Sequence, residues 1–263
     1  MTTEYAFFLA LIQGFTEFLP VSSSAHLILP SAIFGWPDQG LAFDVAVHFG
    51  SLGAVILSLR LEIYRVITGM CVGMGCRYPR HAKLGWLVGL ATLPAVLSGL
   101  FAKNFIETEL RSELVIAWAT IGFGLLLWWA NHQSGRGGFG KIRVKEAVVI
   151  GLAQALALIP GTSRSGITLT AGLWLGLSRT VAAKFSFLLS IPVIFGAAVL
   201  KMKDLLEASD SVAWDSIGIG VLVSFFSAYL CIRLFLMFIR RVGLLPFVAY
   251  RLALGLILLV LFV

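Results

Sequence analysis

Long apolar runs, separated by short charged segments, set the pattern of the chain. A helix that crosses a bilayer needs about 20 mostly apolar residues. Six runs qualify, roughly 42–59, 84–102, 114–130, 184–200, 216–239 and 244–263. The first carries Asp44 and His48 and the last carries Arg251, while the remaining cores are essentially uncharged. Two more apolar stretches, about 5–35 and 145–178, are interrupted by Leu19-Pro20-Val21-Ser22-Ser23-Ser24 and by Ile159-Pro160-Gly161-Thr162-Ser163-Arg164-Ser165-Gly166. Proline stops the incoming helix, and the Ser/Thr residues that follow favour a new helix start. Each half is too short to span, which predicts helix–break–helix hairpins that enter and leave on one side.

The charges between the runs give an orientation. Arg60, Arg65, Arg77, Arg80 and Lys83 lie in one loop, and Arg136, Lys141, Arg143 and Lys145 in another. Basic loops stay in the cytoplasm. Glu107, Glu109 and Glu113, then Asp204, Glu207, Asp210 and Asp215, mark the opposite side. The order is a hairpin and three spans, twice over, and an odd number of crossings inverts the second copy. The expected fold is therefore all-α and integral to the membrane, with six transmembrane helices and two re-entrant hairpins as inverted-topology repeats. Residues 1–263 form a single membrane domain with approximate repeats at 1–130 and 145–263. Leu19-Pro20-Val21-Ser22-Ser23 aligns with Ile159-Pro160-Gly161-Thr162-Ser163.

Composition agrees with this picture. Of 263 residues 59% are apolar and 13% charged, against roughly 25% charged in a soluble domain. The net charge of +7 sits in loops and does not interleave with aromatics on one face, which argues against nucleic acid. Cys71, Cys76 and Cys231 match no zinc or redox spacing and read as free thiols. The start, Met1-Thr2-Thr3-Glu4, shows no basic cleavable leader. Tryptophans such as Trp86, Trp128 and Trp129 read as interface anchors.

The breaks carry the candidate chemistry. Irregular backbone at membrane depth persists only when it is buried in protein or lines a wet cavity. The free amides and dipole of a restarting helix favour an anion. Ser22, Ser23, Thr162, Ser163 and Ser165 add hydroxyl donors, and Arg164 adds a fork suited to phosphate oxygens. Gln13 and Glu17 share a helix face at i,i+4. His26 lies within reach of Ser22 and Ser23 if the helix resumes there. Such a set supports phosphoryl transfer, which rests on positioning and charge neutralisation. His48 and Asp44, near the external end of a span, read as structural, and Arg251 as a snorkelling residue without chemistry.

The run Gln13-Gly14-Phe15-Thr16-Glu17-Phe18-Leu19-Pro20-Val21-Ser22-Ser23-Ser24-Ala25-His26, with Pro160-Gly161-Thr162-Ser163-Arg164-Ser165-Gly166, closely resembles the bacterial undecaprenyl-diphosphate phosphatase family. The resemblance extends over nearly the whole chain, through Phe185-Ser186-Phe187-Leu188-Leu189, Pro246-Phe247 and Tyr250-Arg251. It implies hydrolysis of undecaprenyl diphosphate to the monophosphate carrier of peptidoglycan synthesis. It also implies a multi-pass protein of the bacterial inner membrane, dependence on a divalent cation (Mg or Ca), and bacitracin resistance on overexpression. Carried over by position, Glu17 belongs to the acidic motif, Ser23 matches the proposed nucleophile, His26 its histidine partner and Arg164 the phosphate-binding arginine. Ser22, Thr162, Ser163 and Ser165 become diphosphate contacts, and Glu17 with Gln13 the metal ligands. Gln13 stands where many members have glutamate, and Ser24-Ala25 replaces the commoner Thr-Gly before the histidine.

Attack by Ser23, with His26 or Glu17 taking its proton, and direct attack by activated water both fit these residues. The expected partners are a polyprenyl diphosphate lipid and membrane lipids, and a homo-oligomer is compatible with the sequence. The site is expected to open toward the periplasm. A lipid flippase or transporter is the alternative, since inverted repeats with broken helices are common in transporters.

Overall fold

The computed structural model describes residues 3–23, 25–27, 35–36, 40–72, 78–110, 112–207 and 214–262. Ser24, Cys76, Arg77 and Asp210, named above, lie outside them. The long helices are α1 (Thr3–Glu17), α2 (Gly40–Ser58), α3 (Arg60–Val72), α4 (Pro79–Glu109), α5 (Glu113–His132), α6 (Val144–Ala155), α7 (Arg164–Trp174), α8 (Arg179–Glu207), α9 (Trp214–Arg241) and α10 (Leu245–Phe262). There is no strand ladder among the described residues. Segments of α4, α5, α8, α9 and α10 are long and apolar enough to cross a bilayer.

The expected span at 42–59 is present as α2, but residues 60–72 are not the loop that their charges suggested. They form α3, bent by 80° from α2. Although Arg60, Glu62 and Arg65 stand in it, α3 counts with α2 as one bent candidate span, a sixth beside the other five among the described residues. Similarly, α4 and α8 run on past their apolar runs to Glu109 and Glu207, so the acidic segments begin as helix ends.

Both interrupted stretches break where proline and serine required. The second is a hairpin whose two ends lie side by side. The strand-like linker before α6 pairs with the linker after α7, through Gly135 N–H to the Leu177 carbonyl (3.3 Å), Gly137 N–H to Gly176 (3.2 Å) and Ser178 N–H to Gly137 (3.0 Å). The entry and exit of α6–α7 are thus neighbours.

Each hairpin's first helix packs against a span of the other half, α1 on α9 and α6 on α4. In lipid, helices associate through small residues and interhelical hydrogen bonds rather than by hiding apolar surface. These contacts follow that rule. A Cβ on Gly14 would lie 1.9 Å from Ser227 Oγ, and one on Gly50 would lie 2.4 Å from the Val221 carbonyl. Between α2 and α9, Ser224 Oγ donates to the Val47 carbonyl (2.6 Å) and meets Ser51 Oγ at 2.9 Å. On α6, Gly151 lies against the Ala91 backbone of α4, where a Cβ would come within 2.6 Å of the carbonyl. The outer faces present large apolar side chains such as Phe101, Phe226 and Val260, as a lipid-facing surface does.

Candidate active site

The two breaks meet inside the helix bundle, and their backbones share an uncommon feature. Ser22 has φ 74° and Ser163 has φ 69°, the left-handed region that non-glycine residues seldom enter. Each serine sits just before a restarting helix. The first i→i+4 bond follows in each case, His26 N–H to Ser22 (3.4 Å) and Ile167 N–H to Ser163 (2.9 Å). Ser163 caps its helix by accepting from Gly166 N–H at 3.2 Å. Matched by backbone, Ser22 therefore corresponds to Ser163 rather than to Thr162. The register expected from sequence slips by one residue after the proline, because the second break holds an extra residue. Ser23 then corresponds to Arg164, and each is the first residue of its helix.

Those two residues converge on one carboxylate. Glu17, at the last position of α1, is 8% exposed. Its Oε1 accepts from Arg164 Nη2 at 2.7 Å, and its Oε2 accepts from Ser23 Oγ at 3.1 Å and from Gln13 Nε2 at 2.9 Å. A carboxylate at the C-terminal end of a helix faces the negative end of the dipole, and here the Arg164 guanidinium offsets that disadvantage. A backbone strained at Ser22 and Ser163 is what brings the two helix starts to a common point.

The histidine is placed differently from its expected pairing with Ser23. His26 Nδ1 donates to the Ser22 carbonyl at 2.6 Å, which leaves Nε2 as the acceptor for the Tyr250 hydroxyl, also at 2.6 Å. The two rings stack with 9° between their planes. Among the described residues no hydrogen bond joins His26 to Ser23. Of the expected diphosphate contacts, Ser165 Oγ donates to the Leu19 carbonyl at 2.8 Å and meets Ser163 Oγ at 3.3 Å. Ser22 is buried, and Thr162 Oγ1 is a buried hydroxyl without a partner.

Residues outside the two motifs complete the site. His48 Nδ1 donates to the Asp44 carbonyl (2.6 Å), so its Nε2 lone pair faces the Gln13 amide at 3.4 Å. The structure thus moves His48 from a bland position on a span to the back of the Glu17 site. Arg251 does not snorkel at all. It is 0% exposed, and its guanidinium donates to the carbonyls of Thr120 (3.1 Å), Pro20 (3.3 Å), Thr162 (3.0 Å) and Gly161 (2.9 Å). One cation therefore holds the backbone of both breaks and of α5. The sequence did contain the signal for both residues: an ionisable side chain inside a span is costly and marks a function by default.

A divalent cation finds little to hold it. Among the described residues no group of three or more His, Cys, Asp or Glu side chains is placed to bind a metal. Glu17 already serves Arg164, Ser23 and Gln13, and beside it Gln13 Oε1 is buried and unpartnered among the described residues. That set does not fit a resident metal centre.

What the arrangement can do is hold an anion between a guanidinium and two helix starts while a carboxylate faces a serine hydroxyl. Comparison with known proteins points the same way. The sequence profile of a family described as Bacitracin resistance protein BacA matches residues 6–257. The undecaprenyl-diphosphatase of Chromohalobacter salexigens is 56% identical over 256 residues, 96% of either chain. The undecaprenyl-diphosphatase 2 of Stutzerimonas stutzeri is 56% identical over 259 residues, covering 97% of this chain and 96% of its own. On a family match across almost its full length, which takes in both breaks, this chain belongs to the bacitracin resistance protein BacA family.

Proposed function

We propose that this protein is an integral membrane phosphatase that hydrolyses undecaprenyl diphosphate to undecaprenyl phosphate and phosphate. Its place is the bacterial inner membrane, where it recycles the lipid carrier of cell-wall synthesis. The observation that carries this reading is the Glu17 carboxylate, bridged between Ser23 of the first break and Arg164 of the second. A binding protein has no need of a carboxylate held against a hydroxyl.

In the proposed reaction the terminal phosphate lies between the starts of the two helices. Arg164 takes its equatorial oxygens through the guanidinium nitrogens that Glu17 leaves free, and the amides at the start of α7 add donors. Ser23 Oγ attacks the terminal phosphorus and its proton passes to Glu17 Oε2. The bond from that phosphorus to the bridging oxygen breaks, and undecaprenyl phosphate leaves with that oxygen. Water then attacks the phosphoserine, releasing phosphate and restoring Ser23. His26 positions the first break through the Ser22 carbonyl, and Gln13 with His48 orients Glu17. A divalent cation is taken to arrive with the diphosphate rather than to reside in the protein.

The two halves are read as inverted repeats, supported by the reciprocal packing of α1 on α9 and α6 on α4. The Lys/Arg-rich ends of the helices are assigned to the cytoplasm, so the first hairpin enters from the periplasmic side and opens the site there. Phosphate release from undecaprenyl diphosphate by the purified protein in detergent, with no gradient, tests the reading. Glu17→Ala, Ser23→Ala and Arg164→Ala should each lower turnover at least about 100-fold, as loss of a group acting in the transition state does. Near-normal turnover in these variants would remove the site, and absence of wild-type turnover would leave transport as the function.

A further inference from the structure

A second feature lies at the Lys/Arg-rich ends of α8 and α9, away from the catalytic breaks. Thr180, Lys184, Arg233, Arg240 and Arg241 line a cavity of about 860 Å³. Lys184 is paired with Glu62 of α3. Among the described residues no carboxylate pairs with Arg233, Arg240 or Arg241. Arg233 lies inside the apolar run 216–239, eight residues before the end of α9, about 12 Å along the helix axis. Its guanidinium stands 5.6 Å from the Tyr229 ring. An exposed cation that far along the helix, with an aromatic ring beside it and no counter-charge among the described residues, is open to an anionic ligand.

An apolar groove of about 470 Å³ lies next to the cavity, and Met237 and Arg241 border both. From there the groove runs between Phe15, Cys231, Phe235 and Phe247 to Leu19 in the first break. A cationic cavity bordered by an apolar groove matches an amphiphile with an anionic head and a hydrocarbon tail.

We propose that this cavity and groove bind an anionic phospholipid of the leaflet on the Lys/Arg-rich side. Its phosphate rests on Arg233, Arg240 and Arg241, and one acyl chain lies along the groove toward Leu19. Basic pockets between transmembrane helices recognise lipid head groups in this way. The head-group site shares no side chain with the Glu17 centre, so the proposal stands independently of the phosphatase reading.

The test is lipid retention by the full-length protein, measured by native mass spectrometry after mixing with phosphatidylglycerol or phosphatidylcholine of the same acyl chains. The wild type should retain phosphatidylglycerol at least about tenfold more strongly, the preference expected from roughly 1 kcal/mol for each of several basic residues. Arg233→Gln with Arg240→Gln should reduce that retention to the phosphatidylcholine level. Met237→Trp, which narrows the groove, should lower phosphatidylglycerol retention and leave inorganic phosphate without effect. Thermal unfolding in detergent confirms that each variant is folded, and Arg240→Glu alone serves if the double variant is not. Equal retention of the two lipids, or unchanged retention in a folded Arg233/Arg240 variant, overturns the proposal. So does displacement of the lipid by millimolar inorganic phosphate, which would make this a site for a free anion.

Discussion

Among the described residues no carboxylate pairs with Arg251, and it is solvated instead by four backbone carbonyls. Three of them, on Pro20, Gly161 and Thr162, belong to the irregular backbone of the two breaks, and a buried carbonyl left unpaired there costs about 1–3 kcal/mol. Arg251→Leu strips all of them at once. The expected result is a loss of several kcal/mol, read as a fall in the thermal unfolding midpoint together with turnover. Arg251→Lys keeps the charge but offers one point in place of a planar fork, so it should recover only part of the stability. An unchanged melting temperature in Arg251→Leu would contradict the clamp. At this scale the sequence was partly legible. Glu17, Ser23 and Arg164 stood in their motifs, and the structure brings the three together. The partner of His26 was not readable, because Tyr250 lies 224 positions away and nothing local joins them. Arg251 was misread for a related reason: a cation near a helix end can snorkel, and only the tertiary fold shows that the two breaks surround it.

Between helices, the position of Glu17 depends on how closely α1 approaches α9. Gly14 lies one turn before Glu17, and a side chain there meets Ser227 and the Ser224 carbonyl. Gly14→Val should push α1 away and draw Glu17 from Ser23 and Arg164, with turnover falling at least about tenfold, since a displacement near 1 Å costs about that or more. Ser227→Gly in the same background removes the nearer obstacle and should restore part of the rate. Failure of Gly14→Val to slow the enzyme would show that the site does not depend on this packing. The breaks themselves could be read from proline followed by hydroxyl residues. Their mutual register could not. The sequence aligns Ser23 with Ser163, whereas backbone conformation aligns Ser22 with Ser163. A one-residue difference in loop length leaves no mark in composition. The bend after α2 was hidden as well, because the charges of 60–72 suggest a loop without saying whether the stretch is helical.

For the whole molecule, the spans were legible from their length and apolarity, and the sidedness of the hairpins has a direct test. Arg136 and Ser178 stand in the paired linkers around α6 and α7, whereas Glu113 and Asp215 begin α5 and α9 at the far ends of their helices. With Cys71, Cys76 and Cys231 replaced by serine, single cysteines at Arg136 and Ser178 should react with an impermeant thiol reagent from one face of oriented vesicles. Cysteines at Glu113 and Asp215 should react from the other face. Labelling of Arg136→Cys and Ser178→Cys from opposite faces would mean that α6–α7 crosses the bilayer.

A transporter of broken-helix design works by rocking one half against the other. Here a single guanidinium grips Pro20 from one half and Gly161 and Thr162 from the other. That grip welds the pivot. Rocking one half against the other would have to break the bond from Arg251 to Pro20, so a hub tied in this way favours entry of a lipid head from the side over passage through the middle.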